Sequence, residues 1–395
     1  MHPLDDLLRA QLDDLSQQGL RRQLRPLDAA GPRHLTIQGR TFLNFSSNDY
    51  LGLSTHPAVA QASSEAINRW GTGSRASRLV CGSLRIHQEL EETLASWKKT
   101  EAALLFSSGF SAAIGVIAAL AGPADLIFAD RLVHACCLDG ARLSRARLRI
   151  FRHNDLDHLE HLLQRARKSS EAGESIRKIW ILAESIYSMD GDRAPLQELI
   201  KLKERYGAWL ILDEAHATGL FGARRTGLAE SEGVSSQVEV HLGTLGKALG
   251  SSGGYICGSR TLIDFLVHRA RSLIYSTASP ASTSAAALAA IQLVRSEQGA
   301  LLCAQAWARA RQLHPALFLT SPPPEGPTSA ILPRMVGENQ AALDLSARLF
   351  DRGIFVPAIR YPTVPDGEAR LRFTVSAAHK EEDVDFVRKV LAETT

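Results

Sequence analysis

The sequence predicts an α/β fold, with a large domain built on a mostly parallel seven-stranded sheet and a small C-terminal α+β domain. Short apolar runs alternate with helical stretches, which is the pattern of parallel strands joined by crossover helices. The candidate strands of the large sheet are 102–106, 125–130, 146–151, 178–184, 208–213, 238–243 and 254–258. In the small domain, strands at 329–335, 354–359 and 369–375 alternate with helices at 338–352 and 380–393.

We expect the 395 residues to divide into an N-terminal helix and hairpin segment (1–50), a large domain (51–289) and a small C-terminal domain (290–395). A chain of this length can bury a large core. Leucines at helical spacing predict an amphipathic helix over 4–24, and alternation around a glycine predicts a short hairpin after it. The proline-rich insert 321–327 is typical of a stiff surface loop.

Charge and composition argue against several classes of protein. The 45 basic and 42 acidic residues leave a net charge of +3, which gives no general argument for a nucleic-acid or membrane partner. No apolar run reaches the roughly eighteen residues of a membrane span, and the N-terminus lacks a signal-peptide pattern, so we expect a cytoplasmic protein. Five cysteines without a C-x-x-C pair predict reduced thiols, with neither a disulfide framework nor a metal site.

One lysine stands out in the stretch 237–259, where an apolar strand is followed by glycines around Lys247. A lysine at a strand end, among small residues, is often a reactive amine, because burial disfavours the charged form of an ammonium. The functional hypothesis is a lysine that forms a Schiff base. On this stretch alone, an ordinary surface lysine in a glycine loop is an equally good interpretation.

A second apolar run, 208–213, ends in Asp213 and is followed by His216. Ligands of open α/β sheets gather at the carboxyl ends of strands, where this acid and imidazole would meet the amine of Lys247. The three groups fit pyridoxal phosphate, which uses a lysine for its aldehyde, a carboxylate for its ring nitrogen and a histidine near its phenolic oxygen. The spacing alone does not prove this assignment.

Two further segments could contact such a cofactor. Ser108, Gly109 and Phe110 lie between a strand and a helix, and the free N–H groups of a helix start suit a phosphate. A plain βα turn is the alternative interpretation. His134 follows the second strand and could stack on a pyridine ring, although a lone histidine is more often a core or surface residue. Cys136 and its neighbour Cys137 lack the spacing of a metal site.

Seven motifs, in order, resemble the α-oxoamine synthases, a branch of the aspartate aminotransferase-like pyridoxal phosphate enzymes of fold type I. They are 44-NFSSNDYLGLSTHP-57, 107-SSGFSA-112, 184-ESIYSMDGDRAPL-196, 213-DEAHATG-219, 243-GTLGKALGSSGGY-255, 275-YSTASP-280 and 358-AIRYPTVPDGEARLRFTVSAAH-379. Each motif is weak alone, but together they extend over roughly residues 20 to 380 and make a specific signal.

The resemblance implies a pyridoxal 5'-phosphate enzyme that condenses an amino acid with an acyl thioester and releases carbon dioxide. The catalytic residues that it implies are Lys247, His134, Asp213 and His216. The implied cofactor-binding residues are these four together with Ser108, Gly109, Phe110, Ser188, Thr244, Ser276 and Thr277. The implied substrate-binding residues are Arg21, Asn48, His134, Thr363 and Arg372. Ser276 and Thr277 resemble a segment that reaches the partner's cofactor, which implies a homodimer with shared active sites.

Within the family, Arg21 and the segment 360–365 favour L-alanine and a pimeloyl thioester as substrates, as in biotin biosynthesis. The acyl group would be carried on coenzyme A or on acyl carrier protein. Glycine with an acetyl or succinyl thioester remains the alternative. Family members commonly have serine at the position of Cys136 and proline at that of Tyr361, so the contacts of these two residues are open.

Two short motifs suggest a different class of protein, because 213-DEAH-216 matches a helicase box and 246-GK-247 matches the end of a phosphate loop. A phosphate loop requires glycine six positions before the lysine and serine or threonine after it, whereas His241 and Ala248 occupy these positions. The sequence therefore argues against a DEAH-box ATPase.

Overall fold

The computed structural model describes residues 3–171, 176–318 and 326–394. Contacts among Cα atoms divide the chain into two compact units. The large unit comprises Asp49–Ser188 and Asp192–Ala304, and the small unit comprises Met1–Asn48, Met189–Gly191 and Gln305–Thr395. The division at residues 50 and 290 stays a prediction, and most of the predicted loop 321–327 lies outside the described residues.

The described helices and strands follow the order expected of an α/β chain. The α-helices are α1 (Pro3–Gln17), α2 (Pro57–Trp70), α3 (Arg85–Lys98), α4 (Gly109–Leu120), α5 (Ala135–Ser144), α6 (Leu156–Glu171), α7 (Leu196–Arg205), α8 (Leu228–Ser231), α9 (Arg260–Arg269), α10 (Arg271–Ile274), α11 (Ala281–Arg295), α12 (Glu297–Leu313), α13 (Asn339–Asp351) and α14 (Glu381–Thr394). The strands are β1 (Ala29–Ala30), β2 (His34–Ile37), β3 (Arg40–Asn44), β4 (Ala102–Phe106), β5 (Leu126–Asp130), β6 (Arg147–Phe151), β7 (Ile179–Glu184), β8 (Trp209–Asp213), β9 (Val240–Thr244), β10 (Gly254–Gly258), β11 (Ile331–Gly337), β12 (Ile354–Phe355), β13 (Ala358–Ile359) and β14 (Ala369–Thr374).

The core of the large unit is a seven-stranded sheet with the strand order β4-β10-β9-β8-β7-β5-β6. β10 is antiparallel to both of its neighbours, and the pairs from β9 to β6 are parallel. Every residue of β4, β5 and β10 is buried, which explains why these strands are continuous apolar runs. The predicted fold class and its mostly parallel sheet of seven strands are confirmed.

A short loop, residues 245–253, connects β9 to the antiparallel β10 without a crossover helix. Backbone hydrogen bonds close this loop on itself, from Leu245 N to Gly253 O and from Ser251 N to Leu245 O, both 2.9 Å long. Gly250 has a φ of 60°, and a Cβ there would lie 2.3 Å from the backbone nitrogen of Ser54. Glycine is therefore required at this position on both conformational and steric grounds.

The small unit contains two small sheets, β1-β2-β3-β12 and β11-β14-β13. β2 and β3 form the predicted hairpin. The prediction of a single strand over 354–359 is wrong. Val356 and Pro357 interrupt the strand, and the two short strands on either side of them, β12 and β13, belong to different sheets. A proline there cannot donate a ladder hydrogen bond.

The predicted N-terminal helix is present but shorter than the expected 4–24. α1 ends at Gln17, and Gly19 follows with a φ of 65°, which terminates the helix. None of its residues is buried, so its leucine stripe is exposed in the single chain. No helix in the described ranges is both long enough and apolar enough to cross a membrane.

Candidate active site

Polar residues end four parallel strands of the large unit at one edge of the sheet. β5, β7, β8 and β9 finish at Asp130, Glu184, Asp213 and Thr244. β4 runs in the same direction, because the antiparallel β10 separates it from β9, and Ser108 follows its end. This carboxyl edge therefore gathers the segments in which the sequence analysis placed its candidate residues of the large unit.

Lys247 lies in the loop after β9, where its Nζ is 2.8 Å from Nε2 of His216. The other ring nitrogen of His216, Nδ1, is 2.6 Å from the hydroxyl of Tyr50, and both of these side chains are buried. When the amine donates to Nε2, the ring proton resides on Nδ1 and is donated to Tyr50. The predicted lysine and histidine are thus adjacent, and Tyr50 is a partner that the sequence analysis did not identify.

Asp213 and Glu184 lie opposite each other at the ends of β8 and β7. Burial raises the pKa of Asp213, against the charge of Lys247. Burial and the charge of Asp213 raise the pKa of Glu184 to about 8, so this carboxyl group is mostly protonated at neutral pH. Its Oε2 accepts from the backbone N–H of Ser188 at 3.2 Å, whereas its Oε1 is buried and has no hydrogen-bond partner within the described ranges.

Asp213 and Ser188 are candidate residues in the sequence, whereas Glu184 is predicted there only as the end of a strand. The signal was present, because an apolar run that ends in an acid is the same pattern that led to Asp213. The structure adds that the two acids are neighbours. Two carboxyl groups side by side cannot both ionise easily, so their charges depend on each other.

His134 caps the N-terminus of α5, and its Nδ1 lies 2.9 Å from the sulfur of Cys136. This hydrogen bond raises the pKa of His134 to about 8. The neighbouring Cys137 and the imidazole lower the pKa of Cys136 to about 6, against the effect of burial. The thiol of Cys136 therefore contacts the predicted stacking histidine and forms a titratable pair with it.

The predicted phosphate-binding segment begins α4, a helix of twelve residues. The hydroxyl of Ser108 caps it by accepting from the N–H of Ser111 at 3.0 Å. The other first-turn N–H groups, including those of Gly109 and Phe110, have no intrahelical acceptor because of their position. A Cβ on Gly109 would lie 3.4 Å from Cβ of Thr244, so the helix start is next to the end of β9. This position suits an anion.

Ser276 and Thr277 lie in a segment that pairs with the glycine and serine loop after α2. Thr277 forms an isolated β-bridge with Ser77, and Ala278 N donates to Ala76 O at 3.0 Å. Ser276 and Thr277 line a small cavity together with Ser107, which precedes the helix start described above. Their predicted contact with a partner subunit stays a prediction.

The remaining candidates belong to the small unit. Arg372 is buried, and its Nη1 donates to Oδ1 of Asn48 at 3.2 Å, so these two predicted residues are adjacent. Thr363 accepts from Nη2 of Arg22 at 3.1 Å. Arg21 is exposed and donates to Ser16 at 3.3 Å.

Arg21 also lines a groove of about 640 Å³ in the small unit. Arg25, Phe355 and Arg360 are among the other lining residues. The described contact to Thr363 is made by Arg22, the residue that follows Arg21. The roles of Arg21 and Thr363 stay predictions.

Glu214, the second acid of the DEAH sequence, is part of a buried ion pair. Its Oε2 is 3.0 Å from Nζ of Lys98, and both side chains are only 2% exposed. Its Oε1 accepts from the N–H of Ala229 at 3.0 Å, and His241 approaches Oε2 at 3.3 Å. A helicase box needs this carboxylate free for nucleotide chemistry, whereas here it is fully engaged in holding the loop after β8.

The residues at the carboxyl edge fit pyridoxal phosphate. They supply a primary amine, a buried carboxyl group on the adjacent strand, an imidazole hydrogen-bonded to the amine, and a helix start for a phosphate. The buried Oε1 of Glu184 adds a polar atom that a bound group could contact. Within the described residues, no group of three or more His, Cys, Asp or Glu side chains could hold a metal ion.

The chain belongs to the family described as aminotransferase class I and II, which matches residues 40–391. This result confirms the aspartate aminotransferase-like class indicated by the fold and by the site.

Proteins named 8-amino-7-oxononanoate synthase are similar to this chain over almost its whole length. That of Geotalea daltonii is 44% identical and covers 95% of this chain and 94% of its own. The protein of that name from Methylobacterium nodulans is 47% identical, and the match covers 99% of this chain and 97% of the relative. A solved structure of serine palmitoyltransferase from S. paucimobilis with a bound PLP–myriocin aldimine has a TM-score of 0.91 at 28% identity and covers 98% of this chain and 96% of its own. The resemblance that the sequence analysis stated is confirmed.

Proposed function

We propose that the protein catalyses the reaction of an 8-amino-7-oxononanoate synthase, the decarboxylative condensation of L-alanine with a pimeloyl thioester in biotin biosynthesis. The observation that carries this proposal is the identity of 44–47% to proteins of that name over nearly the full chain. The contact between Lys247 and His216 beside the buried Asp213 gives that chemistry a physical basis. The enzyme is a pyridoxal phosphate-dependent acyltransferase.

Pyridoxal 5'-phosphate supplies an aldehyde for amines and a ring that accepts electrons when a bond at the substrate Cα breaks. With this cofactor bound, Lys247 would hold it through its aldehyde, and Asp213 would pair with the ring nitrogen and keep it protonated. His216 would bind near the phenolic oxygen, Ser188 would hydrogen-bond near the cofactor, and His134 would stack on the ring. The first-turn N–H groups of α4, together with Ser108 and Thr244, would hold the phosphate, and Ser276 and Thr277 would contribute to the phosphate site of the partner subunit.

Once the amine of alanine has displaced it from the aldehyde carbon, the freed amine of Lys247 would take the proton from Cα of alanine. Its amine is oriented for this step by the hydrogen bond to His216, which is itself fixed by Tyr50. A general base must be held within hydrogen-bond reach of its proton, and a buried chain of donors and acceptors limits how far the amine can move. His134, with a pKa raised to about 8 by its bond to Cys136, is a second group that can hold a proton near neutral pH.

The proposed substrate-binding residues are Arg21, Asn48, His134, Thr363 and Arg372. Arg372 and Asn48 bind the alanine carboxylate, since a guanidinium can grip a carboxylate with two hydrogen bonds. Arg21 and Thr363 contact the acyl substrate. The acyl group is carried on coenzyme A or on acyl carrier protein.

The assembly and location are also part of this proposal. The chain forms a homodimer with shared active sites, in which Ser276 and Thr277 reach the partner's phosphate. The cytoplasm is the proposed location, in line with five free cysteines, all of which lie within the described ranges.

The test is a substrate matrix with the purified, cofactor-loaded protein. L-alanine and glycine are each combined with pimeloyl-CoA, pimeloyl acyl carrier protein, acetyl-CoA and succinyl-CoA, and carbon dioxide and amino ketone are measured. We expect turnover with L-alanine and a pimeloyl thioester. Activity with glycine alone would assign the protein to another branch of the α-oxoamine synthases.

A further inference from the structure

His153, which follows β6, lies between two carboxylates of the large unit. Its Nδ1 is 2.9 Å from Oδ1 of Asp130, and its Nε2 is 2.8 Å from Oδ2 of Asp192. A neutral imidazole has a donor on only one nitrogen, so it would direct a lone pair at one of the two acids. The side-chain amide nitrogen of Asn154 also lies 3.3 Å from Nε2. The two carboxylates favour an imidazolium that donates from both nitrogens.

The two carboxylates are themselves held in place. Asp130 ends β5 and is fully buried, and its oxygens also accept from the N–H groups of Leu132 and Asn154, each at 2.8 Å. The side-chain amide of Asn154 donates to Asp192 at 2.8 Å. The ring of Tyr187 packs edge-to-face against the imidazole of His153, with 4.4 Å between the ring centroids. Each of the two acids is thus held by His153 and by Asn154, the residue that follows His153.

Each carboxylate belongs to a segment that carries a residue of the proposed site. Asp130 begins the segment that leads to His134, with Leu132 already hydrogen-bonded to it. Asp192 lies in a turn that is closed by the bond from Tyr187 N to Asp192 O at 3.0 Å. That turn also carries Ser188, whose N–H donates to Glu184.

We propose that His153 is a positioning residue whose imidazolium joins Asp130 to Asp192 and so fixes the segment of His134 relative to the turn of Ser188. Its effect on cofactor binding rests on the proposed function. The sequence analysis did not identify His153, and nothing in the proposed chemistry uses it directly.

The charge of His153 is supported by its surroundings. Burial alone would lower the pKa of His153, but the hydrogen bonds and charges of Asp130 and Asp192 outweigh burial and raise it to about 10. The phenol of Tyr187 stays neutral, because burial and the neighbouring acids raise its pKa well above the usual value. His153 therefore stays charged throughout the pH range of an enzyme assay, unlike an ordinary histidine.

The direct test is an NMR titration of the protein with ¹³C-labelled histidine. The Cε1–H resonance of His153 is assigned by its absence in His153→Gln. We expect its chemical shift to stay constant between about pH 6 and pH 9, because the imidazole stays charged over this range. An ordinary histidine would instead titrate with a midpoint near pH 6.5. A midpoint below about pH 8 would overturn the proposal.

The functional test measures the dissociation constant for pyridoxal phosphate by visible absorbance, together with kcat and KM. We expect His153→Gln and Asp192→Asn each to weaken cofactor binding at least about tenfold, since each removes a hydrogen bond between charged groups. The matched control is His161→Gln, an exposed histidine on α6, which should leave the constant unchanged. Wild-type affinity in both site variants would refute the proposal.

The design separates failure of this inference from failure of the proposed function. If the wild-type protein bound no pyridoxal phosphate, the proposed function would fail, whereas the NMR titration would still decide the charge of His153. If His153→Gln did not fold, Asp192→Asn would take its place, because it keeps the pair between His153 and Asp130. In that variant, the midpoint of His153 should fall, since one of its two acids is gone.

Discussion

Replacing Lys98 by methionine breaks its buried ion pair with Glu214, which lies between Asp213 and His216 in the chain. Methionine keeps most of the volume and apolar length of the side chain, so the change is mainly electrostatic. Nζ of Lys98 contacts Oε2 of Glu214 at 3.0 Å, Oγ1 of Thr218 at 3.3 Å and the carbonyl of Thr226. The variant therefore leaves a buried carboxylate without its main cation.

The size of the effect follows from burial. Both side chains are 2% exposed, so water cannot replace the lost ammonium. Removing one partner of such a pair destabilises a protein by about 3–5 kcal/mol. The double variant Lys98→Met with Glu214→Gln should lose less than the single variant, because no unpaired charge remains.

The loss of stability in the Lys98→Met variant should also depend on pH. Burial alone would raise the pKa of Glu214, but Lys98 and His241 lower it to about 2, from 4.5 in the unfolded chain. Stability from this depressed pKa is present above about pH 4.5 and is lost as the pH falls through about 2. Without Lys98, the carboxylate takes up a proton more easily, so the deficit of the variant should be larger at pH 7 than at pH 5.

The assay is denaturant unfolding of the large unit, followed by tryptophan fluorescence and by circular dichroism at pH 7 and pH 5. Lys201→Met, at an exposed position on α7, is the matched control and should change stability by less than about 0.5 kcal/mol. A loss below about 1 kcal/mol for Lys98→Met, or one equal to that of the control, would refute the reasoning.

Three further outcomes are expected. Lys247→Ala should remove the visible absorbance of the cofactor-loaded protein and its reduction by borohydride, and a variant that kept both would show that another amine reacts. Asp213→Asn should retain the cofactor but lower kcat by at least about 100-fold, the scale of a lost charge stabilisation, and unchanged turnover would remove its assigned role. Glu184→Gln should make thermal stability less dependent on pH. The raised pKa of Glu184, about 8, gives stability that is complete below the unfolded value of about 4.5 and is lost as the pH rises through about 8. Melting temperatures of the cofactor-free proteins between pH 5 and pH 9 check the sign, and equal slopes for both proteins would contradict it.

Most of the large sheet could be predicted from the sequence because its strands are buried on both faces. The candidate runs agree with β4 to β10 to within two residues at each end. The limits of α1 and of the strand over 354–359 were less predictable, since each depends on a single residue that ends regular structure. Gly19 ends the first, and Pro357 splits the second.

The sequence identified the residues whose chemistry is unusual for their position, such as Lys247 after a strand. It did not identify residues whose importance depends on a distant partner. Lys98 is 116 positions from Glu214, and on a helix it resembles any solvated lysine. His153 likewise has one of its acids 39 positions away, and no local pattern connects them.

The hairpin between β9 and β10 limits how the loop that carries Lys247 can vary in length. Both ends of the loop 245–253 are anchored in the sheet, and Gly250 allows no side chain. Adding or deleting one residue there would displace the amine of Lys247 from the imidazole of His216, because the flanking strands cannot slide to compensate. Loops that a long helix follows can absorb such a change by a shift of the helix, so natural length variation should be found in those connections and not in this one.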